Sequence, residues 1–256
     1  MLFRSESVAR RSEIDQYLSA LLQTASYKDY GPNGLQIEGR DEVRKLVSGV
    51  TASRALIDAA IDAQADALLV HHGLFWRGYE GRITGWLKQR IARLLAHDIS
   101  LYAYHLPLDA HAEFGNNAQL GARLGVSADA RFGEQSLGFI GSLPVPSGMA
   151  DLVGRCERLS GRRATSIDGD GRALARIAWC TGGAQGYFEP AIAAGADAFI
   201  TGEISEPQAH YARETGVAFL ACGHHASERY GVQALGSHLA ATFGIEHSHI
   251  EIDNPA

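Results

Sequence analysis

The sequence predicts an α/β protein built as two similar lobes with mostly parallel sheets and a metal site at the strand ends between them. Three observations lead there. Short apolar runs that read as strands alternate with stretches that read as helices. That alternation is played twice along the 256 residues. Histidines and acids cluster just after the apolar runs, at the carboxyl ends of strands, where open α/β sheets gather their ligands.

Ser12 reads as the N-cap of a helix over Glu13–Leu22. GPNG at Gly31–Gly34 is a turn, and LQIEG after it a short strand. Lys45–Val50 is a strand, Ser53–Ala63 a helix and Ala67–Val70 a second strand. Leu87–Ala96 is helical and Leu101–Tyr104 is another apolar strand. The second half repeats the order. Arg176–Cys180 is a strand, followed by the loop TGGAQGY (Thr181–Tyr187) and a helix over Phe188–Ala194. Ala198–Ile200 is a strand, Glu206–Thr215 a helix and Ala218–Cys222 a strand.

Laid side by side, LVSGVTASRALIDAAIDAQADALLVHHG matches IAWCTGGAQGYFEPAIAAGADAFITGE with one gap. Thr51 then falls on Thr181 and Asp66 on Asp197. Two copies of one β-α-β-α-β unit are the simplest account, and right-handed crossovers would give each a largely parallel sheet. The expected division is 1–126, carrying His71, His72 and Asp109, and 127–256, carrying His224 and Glu228, with terminal segments free to exchange. LPVPSG (Leu143–Gly148), within a stretch over 131–166, reads as the join.

Composition excludes several classes. The net charge of −6 and the lack of a Lys/Arg run disfavour a nucleic-acid surface. Cys156, Cys180 and Cys222 are odd in number and have no CxxC spacing. They read as small buried residues rather than a disulfide framework or thiolate zinc site. Charges interrupt every apolar run near the N-terminus, so no signal-peptide core is expected there. No window approaches the ~18 apolar residues of a membrane span. A cytoplasmic protein is expected.

The chemistry sits in three clusters. ALLV runs into His71-His72, LYAY into His105 and Asp109, and FLAC into His224, His225 and Glu228. Imidazole and carboxylate together suit zinc, iron, manganese or nickel. On a helix, His224 and Glu228 share a face. Two metals need several protein groups, a bridging carboxylate and open positions, which His71, His72, Asp109, His224 and Glu228 supply. His105 precedes a Leu-Pro-Leu turn read as non-helical and is a candidate proton carrier. Glu203 occupies the repeat position of the first histidines and is a second catalytic candidate, with a capping or salt-bridged role as the alternative. His111 and His225 read as flanking residues. TGGAQGY lacks phosphate-loop spacing and reads as a plain tight turn. Phe75, Trp76 and Trp86 could wall a pocket, but core packing is the expectation for most of them.

The segments DYGPNGLQIEG, LLVHHGLFW, YAYHLPLDAHAEFGNNAQLGARLG, DAFITGEISE and GHHASERYGVQALG closely resemble the Nif-three-like family of dinuclear metal proteins, in its short YbgI-type form. The resemblance runs from about residue 12 to Ala256. It implies two similar α/β lobes, a toroidal homohexamer, and two divalent ions on His71, His72, Asp109, His224 and Glu228. The family's usual label, GTP cyclohydrolase 1 type 2 homologue, implies a metal-dependent hydrolase acting on a purine-nucleotide-type substrate. The alternative is a non-catalytic protein that stores, delivers or scaffolds the metal.

Overall fold

The computed structural model describes residues 8–256; residues 1–7, on which part of the N-terminal leader reading rests, lie outside the described residues. The chain opens with β1 (Ala9–Arg10), α1 (Arg11–Leu21), β2 (Gly34–Ile37), β3 (Glu42–Val43) and β4 (Lys45–Thr51). Next come α2 (Arg54–Asp62), β5 (Ala67–His72), α3 (Gly85–Ala96), β6 (Ser100–Ala103), α4 (Leu106–Ala110) and α5 (Asn116–Leu124). Then follow β7 (Ser127–Phe132), β8 (Gly138–Ser147), α6 (Met149–Ser160), β9 (Thr165–Ile167) and β10 (Leu174–Trp179). The chain closes with α7 (Phe188–Ala193), β11 (Ala198–Thr201), α8 (Glu206–Thr215), β12 (Ala218–Ala221), α9 (His224–Phe243) and β13 (Glu246–His249). Among the described residues, no helix is long and apolar enough to cross a membrane.

One sheet has the order β13-β4-β5-β6-β2 and the other β7-β8-β10-β11-β12-β9, beside a small β1-β3 ribbon. In the first sheet β13, β4, β5 and β6 are parallel and β2 is an antiparallel edge. In the second, β10, β11 and β12 are parallel, with β8 and β9 antiparallel on either side. Parallel neighbours need crossover connections, and helices supply them in both sheets.

The chain falls into two compact units: residues up to Leu108 with Gly231–Asp253, and Asp109–Tyr230 with Asn254–Ala256. The break between the units falls at Leu108/Asp109. Leu120 and Leu124 of α5 pack in one core with Leu152, Ile177, Trp179 and Ile200, which draws residues 109–126 into the second unit. The first unit has its own core, in which Val47, Leu56, Leu68, Leu94 and Leu101 pack together.

The internal repeat is visible in matching hydrogen bonds. Asp66 accepts from the Arg44 and Lys45 N–H groups at 2.8 and 3.0 Å, ahead of β4. Asp197 accepts from the Ala175 and Arg176 N–H groups at 3.0 and 2.8 Å, in β10. The Asp66 carbonyl then receives Ser100 N–H, and the Asp197 carbonyl receives Ala218 N–H, at 3.1 and 2.9 Å. One aspartate thus ties three consecutive parallel strands in each copy. The turns before β5 and β11 also coincide, with Gln64 at φ 56° where the other copy has Gly195 at φ 82°. Left-handed backbone costs a side-chain-bearing residue about 1–2 kcal/mol, partly offset by the entropy glycine loses on folding. Gln64→Gly is therefore expected to stabilise the fold by about 0.5–1 kcal/mol, read as a raised urea midpoint at unchanged slope.

Several boundaries differ from the sequence reading. Helix α1 starts at Arg11, because the Glu13 carboxylate accepts from Arg10 N–H at 3.2 Å and fixes the cap there. Ser12 lies inside the first turn. The stretch expected to be a join contains the ten-residue strand β8 and helix α6. Pro144 and Pro146 lie past the last β7 pairing, at Ser142, where β8 has one neighbour left and a register shift absorbs the missing donors. The Leu-Pro-Leu turn is the short helix α4; Pro107 is its second residue, where no helical N–H partner is required.

Strand β13 carries a directed polar chain. Ser48 Oγ lies 2.9 Å from His247 Nε2 and 3.0 Å from His249 Nδ1, and His249 Nε2 lies 3.1 Å from Glu251. The carboxylate only accepts, so His249 Nε2–H donates to it. The Ser48 hydroxyl then donates to His249 Nδ1, and His247 Nε2–H donates to Ser48. Burial, then the neighbouring His249, pushes His247 down to about 4. A histidine with a depressed folded pKa binds its proton more readily when unfolded. Stability should therefore be full above about pH 6.5 and decline as pH falls toward about 4, on the order of 2 kcal/mol for this half-buried ring. Urea titrations across that window check it, and His247→Gln should flatten the slope.

Candidate metal centre

In the first unit, β5 ends on His71 and His72, and β6 leads through Tyr104 to His105. Successive side chains on a regular strand face opposite ways. At this strand end they converge: the His71 and His72 rings stand 4.7 Å apart and lie 5.0 and 5.7 Å from the His105 ring. One ring nitrogen from each of the three lies within 4.8 Å of the others.

Their partners define the proton positions. His71 Nδ1 faces the Tyr104 carbonyl at 2.9 Å, which only accepts, so Nδ1 carries the proton and Nε2 the lone pair. His105 Nδ1 donates to Asp29 Oδ1 at 2.7 Å, with the same result. His72 Nδ1 shares a 3.0 Å hydrogen bond with the Thr51 hydroxyl, which can run in either direction. A ring whose second nitrogen is held by a carbonyl or carboxylate is oriented, and made more basic, for a metal.

Asp29 was not singled out from the sequence. It sits in the loop ahead of GPNG, and its carboxylate accepts from the Tyr30 N–H, Asn33 Nδ2, His105 Nδ1 and Leu106 N–H at 2.6 to 2.9 Å. Asn33 Oδ1 accepts the His105 N–H at 2.7 Å. The loop therefore clamps His105 by ring and backbone and also caps α4. Burial pushes the Asp29 carboxyl up, but the His105, Asn33 and Tyr30 hydrogen bonds outweigh it and hold it below its usual range.

The second unit holds the acids. Asp109 is buried in α4, and its Oδ1 accepts from Asn116 Nδ2 at 2.8 Å and the Thr181 hydroxyl at 3.2 Å. A carboxylate oxygen of Asp109 and one of Glu228 lie within 4.8 Å of each other. Glu228 is buried one turn into α9, with Oε2 3.1 Å from His224 Nε2. His224 Nδ1 lies 2.6 Å from Glu203 Oε1. Burial lowers the His224 pKa, but Glu228 and then Glu203 override it and raise it to about 9. Two carboxylates beside one imidazole favour its charged form, and the same charge environment suits a cation.

The loop read as a plain turn is part of this arrangement. Gly182, at φ 72°, lies so close to the pair that a Cβ there would stand 1.9 Å from Glu228 Oε1. Its repeat position offered a signal: Thr51 and Thr181 fall together in the alignment, and each touches a predicted ligand, His72 or Asp109. His225 N–H donates to the Ala256 carbonyl at 3.2 Å, and the His111 ring stacks on Phe114 at 5.2 Å. Cys180 lies near enough to Asp109 and Glu228 to feel their charge. Burial first, and then those charges, push its thiol well up, so the donor set is imidazole and carboxylate. All three cysteines are free and buried.

Fold and side chains together define a two-unit α/β protein with histidine and carboxylate clusters suited to divalent metal. The chain belongs to the DUF34/NIF3 (NGG1p interacting factor 3) family, whose model matches residues 9–255. It is 54% identical over 235 residues to the GTP cyclohydrolase 1 type 2 homolog of Neisseria meningitidis serogroup B, covering 92% of this chain and 94% of the relative. It superposes on a solved structure described as protein ybgI, of unknown function, with TM-score 0.93 and 45% identity over 97% of this chain and 100% of the other. TTHA1606 from Thermus thermophilus follows at TM-score 0.89 and 33% identity, over 97% of this chain and 100% of that one.

Proposed function

We propose that the protein is a GTP cyclohydrolase-like hydrolase that acts on a purine-nucleotide-type substrate and uses two divalent ions held by His71, His72, Asp109, His224 and Glu228. The observation that carries this reading is the convergence of His71, His72 and His105 nitrogens within 4.8 Å, with His71 and His105 held through Nδ1 by obligate acceptors. The name borne by the Neisseria relative supports the substrate class. Donors of nitrogen and oxygen fit iron, zinc, manganese or nickel. Such ions lower the pKa of a coordinated water toward ~7 and polarise the substrate.

The chain's own residues then divide the work. His105, backed by Asp29, takes up and returns a proton at Nε2. Glu203 orients His224 through Nδ1 and handles protons on that side. Asn116 and Thr181 fix Asp109. The working form is proposed as a homohexameric ring in the cytoplasm. The test is elemental analysis and a turnover screen against nucleotides and phosphoesters, with iron, manganese or zinc restored. Glu228→Ala should weaken metal binding more than about tenfold and abolish turnover. Turnover that survives that substitution, or that never arises with any metal, overturns the enzymatic reading.

A further inference from the structure

An aromatic and cationic ledge stands beside the histidine cluster of the first unit. Trp76 is 36% exposed and Tyr30 52%, although tryptophan and tyrosine of this size are usually covered. Trp76 meets the His105 ring edge-on, 5.1 Å away at 89°, and lies 5.9 Å from the His72 ring. Tyr30 lies 6.1 Å from His105 on another approach. His105 thus stands against two part-exposed aromatic rings. Trp86, expected among the core aromatics, is 62% exposed and stacks under Arg90 instead, so Trp76 is the tryptophan placed at the cluster.

The floor is built without side chains. A Cβ on Gly31 would stand 2.4 Å from the Phe75 carbonyl and 3.5 Å from the Trp76 ring, and one on Gly73 would strike the Gln36 amide at 2.3 Å. With Pro32, His71 and Phe75 these glycines line a narrow cleft of about 10 Å³, room for a single water, so a planar ligand would lie against the part-exposed Trp76 at its mouth rather than inside it. At its side Arg77 holds a positive charge. Its guanidinium lies over the Tyr30 ring at 5.1 Å and donates to the Asp29 carbonyl at 3.4 Å, while its N–H donates to the Tyr30 carbonyl at 2.5 Å. Anchored by backbone and ring, the guanidinium is prepositioned for an oxyanion.

We infer that Trp76, Tyr30 and Arg77 form a ligand subsite for a planar nitrogen heterocycle bearing an anionic group, with Trp76 stacking the ring and Arg77 holding the anion. The subsite deepens the proposed function, resting on its reading that the adjacent histidines are the reaction centre, and it supplies selection for a ring over a bare phosphoester. Stacking of a base on an aromatic residue is worth about 1–3 kcal/mol, so its loss reads as roughly tenfold or more in affinity.

Calorimetric titration of the full-length, metal-loaded protein with guanosine monophosphate, guanosine and inorganic phosphate separates the parts. Trp76→Ala should weaken nucleotide and nucleoside alike by roughly tenfold or more. Arg77→Met should weaken the monophosphate by roughly tenfold and leave the nucleoside unchanged. Metal content and thermal midpoint, measured on each variant, establish that it is folded and loaded. Binding of none of the three ligands at millimolar concentration, or nucleotide binding indifferent to both substitutions, overturns the subsite. If the protein binds no metal while ring binding still follows Trp76 and Arg77, the hydrolase reading fails and the subsite stands. If metal and turnover are intact but no ring is bound, the reverse holds.

Discussion

A Gly182→Ala variant is expected to lose roughly 2–5 kcal/mol of stability and most of the metal binding proposed for the second unit's acids. The positive φ of 72° alone costs alanine about 1–2 kcal/mol. A methyl 1.9 Å from Glu228 Oε1 adds an overpacking cost of about 1–3 kcal/mol, because the acid is buried and its helix is fixed. If the acid yields, Glu228 moves relative to His224 and Asp109; if the loop yields, Thr181 is drawn away from Asp109. A Gly186→Ala variant in the same loop is the control. A Cβ there meets nothing within 4 Å, and that backbone is not left-handed, so stability should change by less than about 0.5 kcal/mol. Chemical unfolding and elemental analysis of the pair decide the matter. Equal behaviour of the two variants would mean that the close approach at Gly182 is unimportant.

The second large effect is expected at Asp29. Alanine there strands four donors at once: the His105 ring, the Asn33 amide and the N–H groups of Tyr30 and Leu106. Removing one partner from a buried charged network costs about 3–5 kcal/mol. Asp29→Asn keeps the shape but turns a donor toward donors, so it should recover only part of the loss. Turnover should fall about 10²–10⁴-fold in Asp29→Ala, the usual contribution of a positioned general acid or base, because His105 loses the group that orients it. Native turnover in that variant would show that the clamp serves only the fold.

The two sites differ in how readable they were. His71, His72, Asp109, His224 and Glu228 stand out because each follows an apolar strand, and a strand delivers whatever follows it to one edge of the sheet. The doubled pattern made the strands themselves legible, down to Asp66 and Asp197. Asp29 carries no such mark. It lies in a turn 76 residues from the ring it holds, and nothing local in DYGPNG says what it will bond. Gly182 was hidden for a different reason. Its importance lies in a close approach to Glu228 of α9, and glycine in a loop reads the same whether it serves a turn or a neighbour. The stretch read as a join is strand and helix because local punctuation at Pro144 and Pro146 says nothing of the β10 partner that holds β8 in the second sheet.

The pairing of β13 with β4 has a consequence for how the molecule comes into being. His249 joins Ser48 across 201 residues of sequence, so the first unit is begun at β4 and cannot be completed before residues 246–249 have been made. While the intervening residues emerge at about 5–20 per second, the outer edge of β4 has no strand beside it. An unpaired strand edge is a template for the wrong neighbour. The nascent chain therefore spends its longest interval with Leu46–Val50 unsealed, and the second unit, whose strands β7 to β12 lie close together in sequence, can close before the first. The first unit's sheet, whose strand β5 carries His71 and His72, is in this way completed only once β13 has emerged.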